Sequence, residues 1–348
     1  MALHNESIVI DSSLVAFINN IGEDIWIDDV LNGGVTAGNA TVCMGRSFNG
    51  ALSELNRYHS WAKRKSDKAL IVRKGSDIEK AKREGKHGVI FGPQDCSFLE
   101  SSSQFLKIAH EWGIRIIQLT YNFRNAAGDG CMERGNAGLS NYGVKLVAEM
   151  NKLGILVDLS HTGDESCREA IELSKDPVSF THVIPRSSTP LEMGGYAEWS
   201  SRHGAYGAFV DYSLARGVPD DLLHACVEKG GVIGVTPFFA KKAGSSTLTD
   251  DLMDQIDYTV DLVGVDHVGF GSDLEYPNSV TRGAYIWKYP ERIDVDYHTP
   301  LDKDWGYGWL ENMPNFTKGL IARGYSDQEV KKMLGLNWVK LFKKVWGE

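Results

Sequence analysis

The chain has 348 residues, of which 42% are hydrophobic and 24% charged, an ordinary globular composition that excludes disordered, collagen-like and coiled-coil proteins. Its 37 basic and 46 acidic residues leave a net charge of −9, and with no block of five Lys/Arg a nucleic-acid or anionic-membrane partner is disfavoured. The five cysteines (Cys43, Cys96, Cys131, Cys167, Cys226) are widely spaced and form no Cys-x-x-Cys pair, so they read as reduced, buried or half-buried thiols. The start MALHNESIVID has no basic stretch leading into an apolar run, and the longest apolar stretches fall short of the ~18–20 residues of a membrane span. A cytoplasmic protein that handles a small molecule, with no membrane partner, is expected.

Short runs rich in Val and Ile alternate with longer amphipathic segments along the chain. Ile8–Asp11 and Val35–Cys43 come first, followed by the helix-like Asn49–Lys65 and Asp77–Glu84. Gly88–Phe91 leads to Ser102–Trp112, Arg115–Leu119 to Leu139–Leu153, and Ile155–Leu159 to Asp164–Ser174. Val178–Thr181 precedes Pro219–Lys229, Gly231–Val235 precedes Asp250–Val263, and His267–Gly271 closes the series. Several runs are apolar at consecutive positions, as strands buried on both faces of a parallel sheet must be. Eight strand-helix repeats predict an α/β fold, a (β/α)8 TIM-type barrel, with a doubly wound sheet as the alternative; no Gly-x-Gly-x-x-Gly follows the first strand. A helical tail runs from Pro314 to Trp346, with Ser326 and Glu329 spaced as a capping box. No Pro/Gly/Ser-rich linker divides the chain, so residues 1–348 read as a single barrel domain. Two segments, near 183–206 and 274–305, are too long for ordinary connections and are expected as rim loops.

Of the ten histidines, His161 ends the run ILVDLSH and His182 ends PVSFTH, each at the C-terminal edge of a buried strand. Either alone reads as a structural hydrogen-bonding residue; as a pair on neighbouring strands ~4.8 Å apart they can converge on one metal ion. Asp273, ending VGFGSD, can bind a metal or accept a proton, although Asp is also a common helix N-cap. His4, His59, His87, His110, His224 and His298 read as surface residues. The glycines and Asn136 of GDGCMERGNAGLS read as shaping a loop.

The run QLTYNFRNAAGDGCMERGNAGLSNYGVKLVAEMNKLGILVDLSHTG resembles the renal (membrane) dipeptidase family, peptidase family M19. The likeness continues through PVSFTH, RGVPDD, GGVIGV, VGFGSD and GLNWVKLF. The resemblance implies a zinc-dependent barrel hydrolase of the amidohydrolase-like type, commonly a homodimer, that cleaves dipeptides or other small amides. It makes His161 and His182 ligands of one metal, Asp273 a ligand and proton acceptor, and Arg216 the clamp for the substrate carboxylate, although Gly217 stands where the family usually has Asn.

Four positions depart from that family pattern. The Gly-His-x-Asp motif ending the family's first strand is replaced by Ser12-Ser13-Leu14-Val15, so both of its ligands are lost. Gln94, beside Asp95, stands where a glutamate bridges two metals, and Tyr121 replaces a histidine near the reacting carbonyl. Two cations ~3.5–4 Å apart need several carboxylates to offset their repulsion. One divalent ion is therefore expected, zinc first with iron or manganese as alternatives, held by His161, His182, Asp273 and Gln94. In the expected reaction a metal-activated water attacks the amide, Asp273 carries the proton, and Tyr121 donates to the oxyanion, while Asn122 and Arg124 offer substrate contacts. The rival readings are a one-metal barrel lyase, decarboxylase or lactone hydrolase, and a catalytically silent binding protein.

Overall fold

The computed structural model describes residues 2–16, 25–188, 215–237, 248–276 and 312–348. Its strands are β1 (Ile10–Ala16), β2 (Ala37–Ala40), β3 (Ala69–Ile71), β4 (His87–Phe91), β5 (Ile116–Gln118), β6 (Leu156–Asp158), β7 (Val178–Val183), β8 (Ile233–Val235), β9 (Val268–Phe270) and β10 (Leu274–Tyr276). Every strand pair among the described residues is parallel. One sheet runs β10-β1-β2-β4-β3 and the other β5-β6-β7-β8-β9. A bridge from Phe91 to Ile114 joins β4 to the residues entering β5. On the other side β10 continues β9 after three residues and pairs with β1, Leu14 facing Leu274. The eight staves β1, β2, β4, β5, β6, β7, β8 and β9–β10 thus close as an α/β barrel.

All eight strand-like runs of the sequence contribute a stave. β3 escapes a pattern search because it has three residues of which only Ala69 is buried, so it carries neither a continuous apolar run nor an alternation. The second expected rim loop begins later than its composition suggested, since Leu274–Tyr276 is a strand; 277–305 and 189–206 lie outside the described residues. All five cysteines are free thiols, and Cys131 is the partly exposed one.

The helical tail consists of Pro314–Ala322, Asp327–Lys331, a π-turn at Lys332–Leu336, and Asn337–Trp346. Its capping box forms as expected: Glu329 N–H donates to Ser326 Oγ, and Ser326 N–H donates to the Glu329 carboxylate at 2.8 Å. Trp338, Val339, Leu341, Phe342 and Val345 of the last helix form one apolar cluster with Ile10, Ala37, Ile116 and Leu156, which begin β1, β2, β5 and β6. The tail therefore seals the end of the barrel where strands start, and burying Trp338 and Phe342 there contributes roughly 1.5–3 kcal/mol per side chain. Gly269 makes the fit possible, because a Cβ at this position would come within 2.2 Å of the Trp338 indole. Only the opposite end, where strands finish, is left for a site.

Two histidines read as surface residues are instead interior. His4 donates to or accepts from Thr317 Oγ1 at 2.7 Å and contacts the Gly33 carbonyl, and His87 opens β4 fully buried beside Trp26. Apolar neighbours on both sides of a single ring cannot be read from a strand start that also carries Lys86. His87 Nδ1–H donates to the Val35 carbonyl at 2.9 Å, and its Nε2 has no hydrogen-bond partner. Burial pushes the imidazole down to about 4, against the opposing pull of that hydrogen bond.

The unfolded chain, with an ordinary histidine near 6.5, takes up this proton before the folded one does. The stabilisation is complete above pH ~6.5 and declines as pH falls toward 4, by up to about 3 kcal/mol. Urea titrations across that interval should show a falling midpoint. His87→Gln, which keeps a donor and removes the titration, should flatten it.

Candidate metal centre

The C-terminal rim of the barrel collects His161 after β6, His182 within β7, Asp273 between β9 and β10, Ser13 within β1, Gln94 after β4, and Tyr121 and Asn122 after β5. Backbone irregularity turns them inward. β1 loses register with β2 between Asp11 and Leu14, and β7 with β8 between Phe180 and Val183, bulges of the kind that re-aim side chains beside active sites. Asn122, His161 and Asp273 have φ of 63°, 60° and 53°, a left-handed conformation that costs of order 1–3 kcal/mol per residue and gathers at functional sites. The loop sought in GDGCMERGNAGLS holds two of them in place. Cys131 N–H donates to the His161 carbonyl and Met132 N–H to the Asn122 carbonyl, and Gly130 lies so close that a Cβ would meet the Asn122 carbonyl at 2.5 Å.

His161, His182 and Asp273 bring one donor atom each to within 4.8 Å of one another. The two Nε2 atoms are 3.0 Å apart, and His182 Nε2 is 3.8 Å from Asp273 Oδ1. Two imidazole lone pairs cannot face each other at that distance without a proton or a cation between them. Burial first, then the positive charge of Arg216, hold both imidazoles well below their usual range, so both rings are neutral and able to donate a lone pair. Burial pushes the Asp273 carboxyl up to about 6, while Arg216, Gln94 and Ser13 pull the other way. Two neutral nitrogens and one carboxylate at this spacing fit a divalent ion that accepts mixed N and O ligands.

The remaining expected residues divide. Gln94 reaches the cluster, with its amide nitrogen 3.3 Å from Ser13 Oγ and 3.5 Å from Asp273 Oδ1. Asp95 turns away, accepting from Ser97 and Asn125. Tyr121 stacks on His161 with ring centroids 4.3 Å apart. Arg216, 3% exposed, donates Nη2 to the His182 carbonyl at 3.4 Å. Asn122 Oδ1 accepts from His161 Nδ1 at 2.7 Å, so it positions a histidine where a substrate contact was expected. Arg124 lies outside the cluster, paired with Asp129 in its own loop, because the buried Asp129 carboxylate needs a counter-charge.

Sequence reasoning passed over Asp11, Asp158 and Thr181. Asp11, near the start of β1, accepts from the backbone N–H groups of Ser13 and Ser272 and ties β1 to the residues that follow β9; a buried Asp opening a bulge within the strand was the available signal. Asp158 and Thr181 stand behind His182.

The closed parallel α/β barrel with its helical C-terminal region is of the type found in amidohydrolase structures. The family model described as membrane dipeptidase, peptidase family M19, matches residues 19–192 and 208–285, and the chain belongs to that family. It is 26% identical over 301 residues to the dipeptidase verJ of Clonostachys rogersoniana, covering 86% of this chain and 66% of that one. A similar match to the dipeptidase tcpJ of Claviceps purpurea covers 80% and 56%; the chain thus spans between half and two thirds of these relatives. Among solved structures, an amidohydrolase from Pseudomonas aeruginosa superposes with a TM-score of 0.82 at 32% identity, covering 100% and 99% of the two chains. A metallopeptidase from Rhodobacter sphaeroides, liganded with a phosphinate mimic of L-Ala-D-Ala, shares the fold at a TM-score of 0.77 and 18% identity, covering 98% and 100%. No helix among the described residues is long and apolar enough to cross a membrane.

Proposed function

We propose that the protein is a metal-dependent hydrolase of dipeptides or similar small amides that carry a carboxylate, working with a single divalent ion, zinc first. The observation that carries this reading is the convergence of His161, His182 and Asp273 at the open end of the barrel. The positions that serve a second metal in the family are filled by Ser13, Val15 and Gln94, and the contact of Gln94 with Ser13 leaves a neutral amide and hydroxyl there. Neither group offers the negative charge that a second cation requires.

A divalent ion bound by this donor set supplies Lewis acidity, polarising a carbonyl and lowering the pKa of water toward ~7. Arg216 holds the substrate carboxylate through charge-assisted hydrogen bonds. Asp273 takes the proton of the attacking water and returns it to the leaving amine. Gln94 and Ser13 keep the Asp273 carboxylate aimed, and Tyr121 donates its hydroxyl to the developing oxyanion.

Elemental analysis should find about one divalent ion per chain, and dipeptide hydrolysis should stop after chelation and return on adding zinc. A metal-free protein with chelator-insensitive turnover overturns the reading. Turnover confined to lactones or carboxylic acids would favour a lyase or lactonase on the same scaffold.

A further inference from the structure

We propose that Asp158 and Thr181 are positioning residues that set the tautomer of His182, so that its Nε2 lone pair is presented to the metal centre. This inference rests on the single-metal reading above. Asp158 lies fully within the barrel and receives four donors. Oδ1 accepts from the backbone N–H of Ser160 and of Thr181 at 3.0 Å each and from Ser160 Oγ at 2.8 Å, and Oδ2 accepts from Thr181 Oγ1 at 2.6 Å. Ser160 Oγ in turn accepts the His182 backbone N–H at 3.1 Å.

Thr181 Oγ1 has one hydrogen, and it is committed to Asp158. The 2.8 Å contact between Thr181 Oγ1 and His182 Nδ1 must then be closed by a hydrogen on Nδ1. A neutral imidazole carries a single N–H, so Nε2 is left as a bare acceptor facing His161 and Asp273. His161 is set in the same sense by Asn122 Oδ1, which takes its Nδ1 hydrogen. Were Asp158 protonated, the chain of hydrogens would reverse. Thr181 would donate to Nδ1, and the proton on Nε2 would block the position where the ion binds.

Burial raises the Asp158 pKa, and the four donors that face its carboxylate pull the other way, favouring the ionised form that the relay uses. A carboxylate hydrogen-bonded to the remote nitrogen of a ligating histidine orients the ring and raises its basicity. Here a threonine hydroxyl is interposed, which places the carboxylate on the strand next to the ligand's own. Beside the relay stand the hydroxyl of Ser160, the thiols of Cys167 and Cys226 and the Asp273 carboxylate, the last three of which feel the Asp158 charge, while Arg216 donates to the His182 carbonyl and its charge depresses that imidazole.

Three versions of the protein, titrated with cobalt(II) in competition with a chromophoric chelator, test the proposal. Thr181→Val keeps the shape and removes the hydroxyl, and should bind cobalt 10–100-fold more weakly than wild type. Thr181→Ser restores the hydroxyl and should bind within about threefold of wild type. Asp158→Asn, whose amide reverses the hydrogen-bond direction, should weaken binding at least as much as Thr181→Val.

A long-range 1H–15N spectrum of the zinc-loaded wild type needs no variant: it should show His182 with its hydrogen on Nδ1 and none on Nε2. Equal cobalt affinity in wild type and a folded Thr181→Val overturns the relay and leaves the single-metal reading intact. An Nε2–H tautomer likewise overturns the relay. A wild type that binds no cobalt overturns the single-metal reading and the relay together.

Discussion

Asp273→Asn is expected to lower kcat/KM for a dipeptide by about 10³-fold, roughly 4 kcal/mol of transition-state stabilisation, while metal remains bound through the two histidines. The amide has the shape of the carboxylate but cannot accept and return a proton. Folding should not suffer, because burial already disfavours the charge on Asp273 and raises its pKa to about 6. Its contacts with Ser13 and Gln94 are made by groups that an amide oxygen also satisfies. Steady-state kinetics with metal content and melting temperature measured on the same sample separate the two effects. A loss below tenfold with metal retained would remove Asp273 from the proton-transfer role and leave it as a ligand.

Arg216→Met should raise KM for a dipeptide by about 100-fold and leave kcat within tenfold. Hydrogen bonds to a charged group in a desolvated site are worth about 2–3 kcal/mol, which corresponds to that factor. Methionine is long enough to keep the packing of a side chain only 3% exposed. The decisive control is the same dipeptide with its C-terminus amidated. If Arg216 clamps the carboxylate, the amidated substrate is poor for wild type and is affected little further by the substitution. If both substrates lose equally, Arg216 acts through His182, whose carbonyl it contacts at 3.4 Å. The substitution has a second, electrostatic consequence: without the guanidinium, the depression of His161 and His182 weakens and Asp273 loses a group that lowers its pKa.

The staves of the barrel were legible because a strand buried on both faces needs consecutive apolar residues, and eight such runs stand in the chain. β3 was not, since its outer face meets solvent and three residues are too few to show a period. The helix Ile25–Asn32 was passed over for a related reason: at 8 residues it is too short to establish a 3.6-residue repeat. The tail helix was legible as a helix, but its place under the barrel was not. That depends on Gly269 leaving room for Trp338, and nothing local to either residue points to the other.

Position at a strand end was enough to single out His161, His182 and Asp273, because a barrel presents those ends on one face. Asn122 and Arg124 follow Tyr121 in sequence and were expected as substrate contacts. In the structure the buried Asp129 takes the Arg124 guanidinium, and Asn122 accepts from His161 Nδ1.

The sequence by itself determined the strand-helix order, the capping box and the free cysteines, since all of these follow from local pattern or residue identity. Tertiary structure alone decided which way the site residues face and which groups their ring nitrogens meet. Ser13 meets Asp273 across 260 residues of chain and Asp158 meets Thr181 across 23. Such partners become neighbours only when the barrel closes, and their hydrogen bonds, strong where water is excluded, then dictate the chemistry that the two histidines can perform.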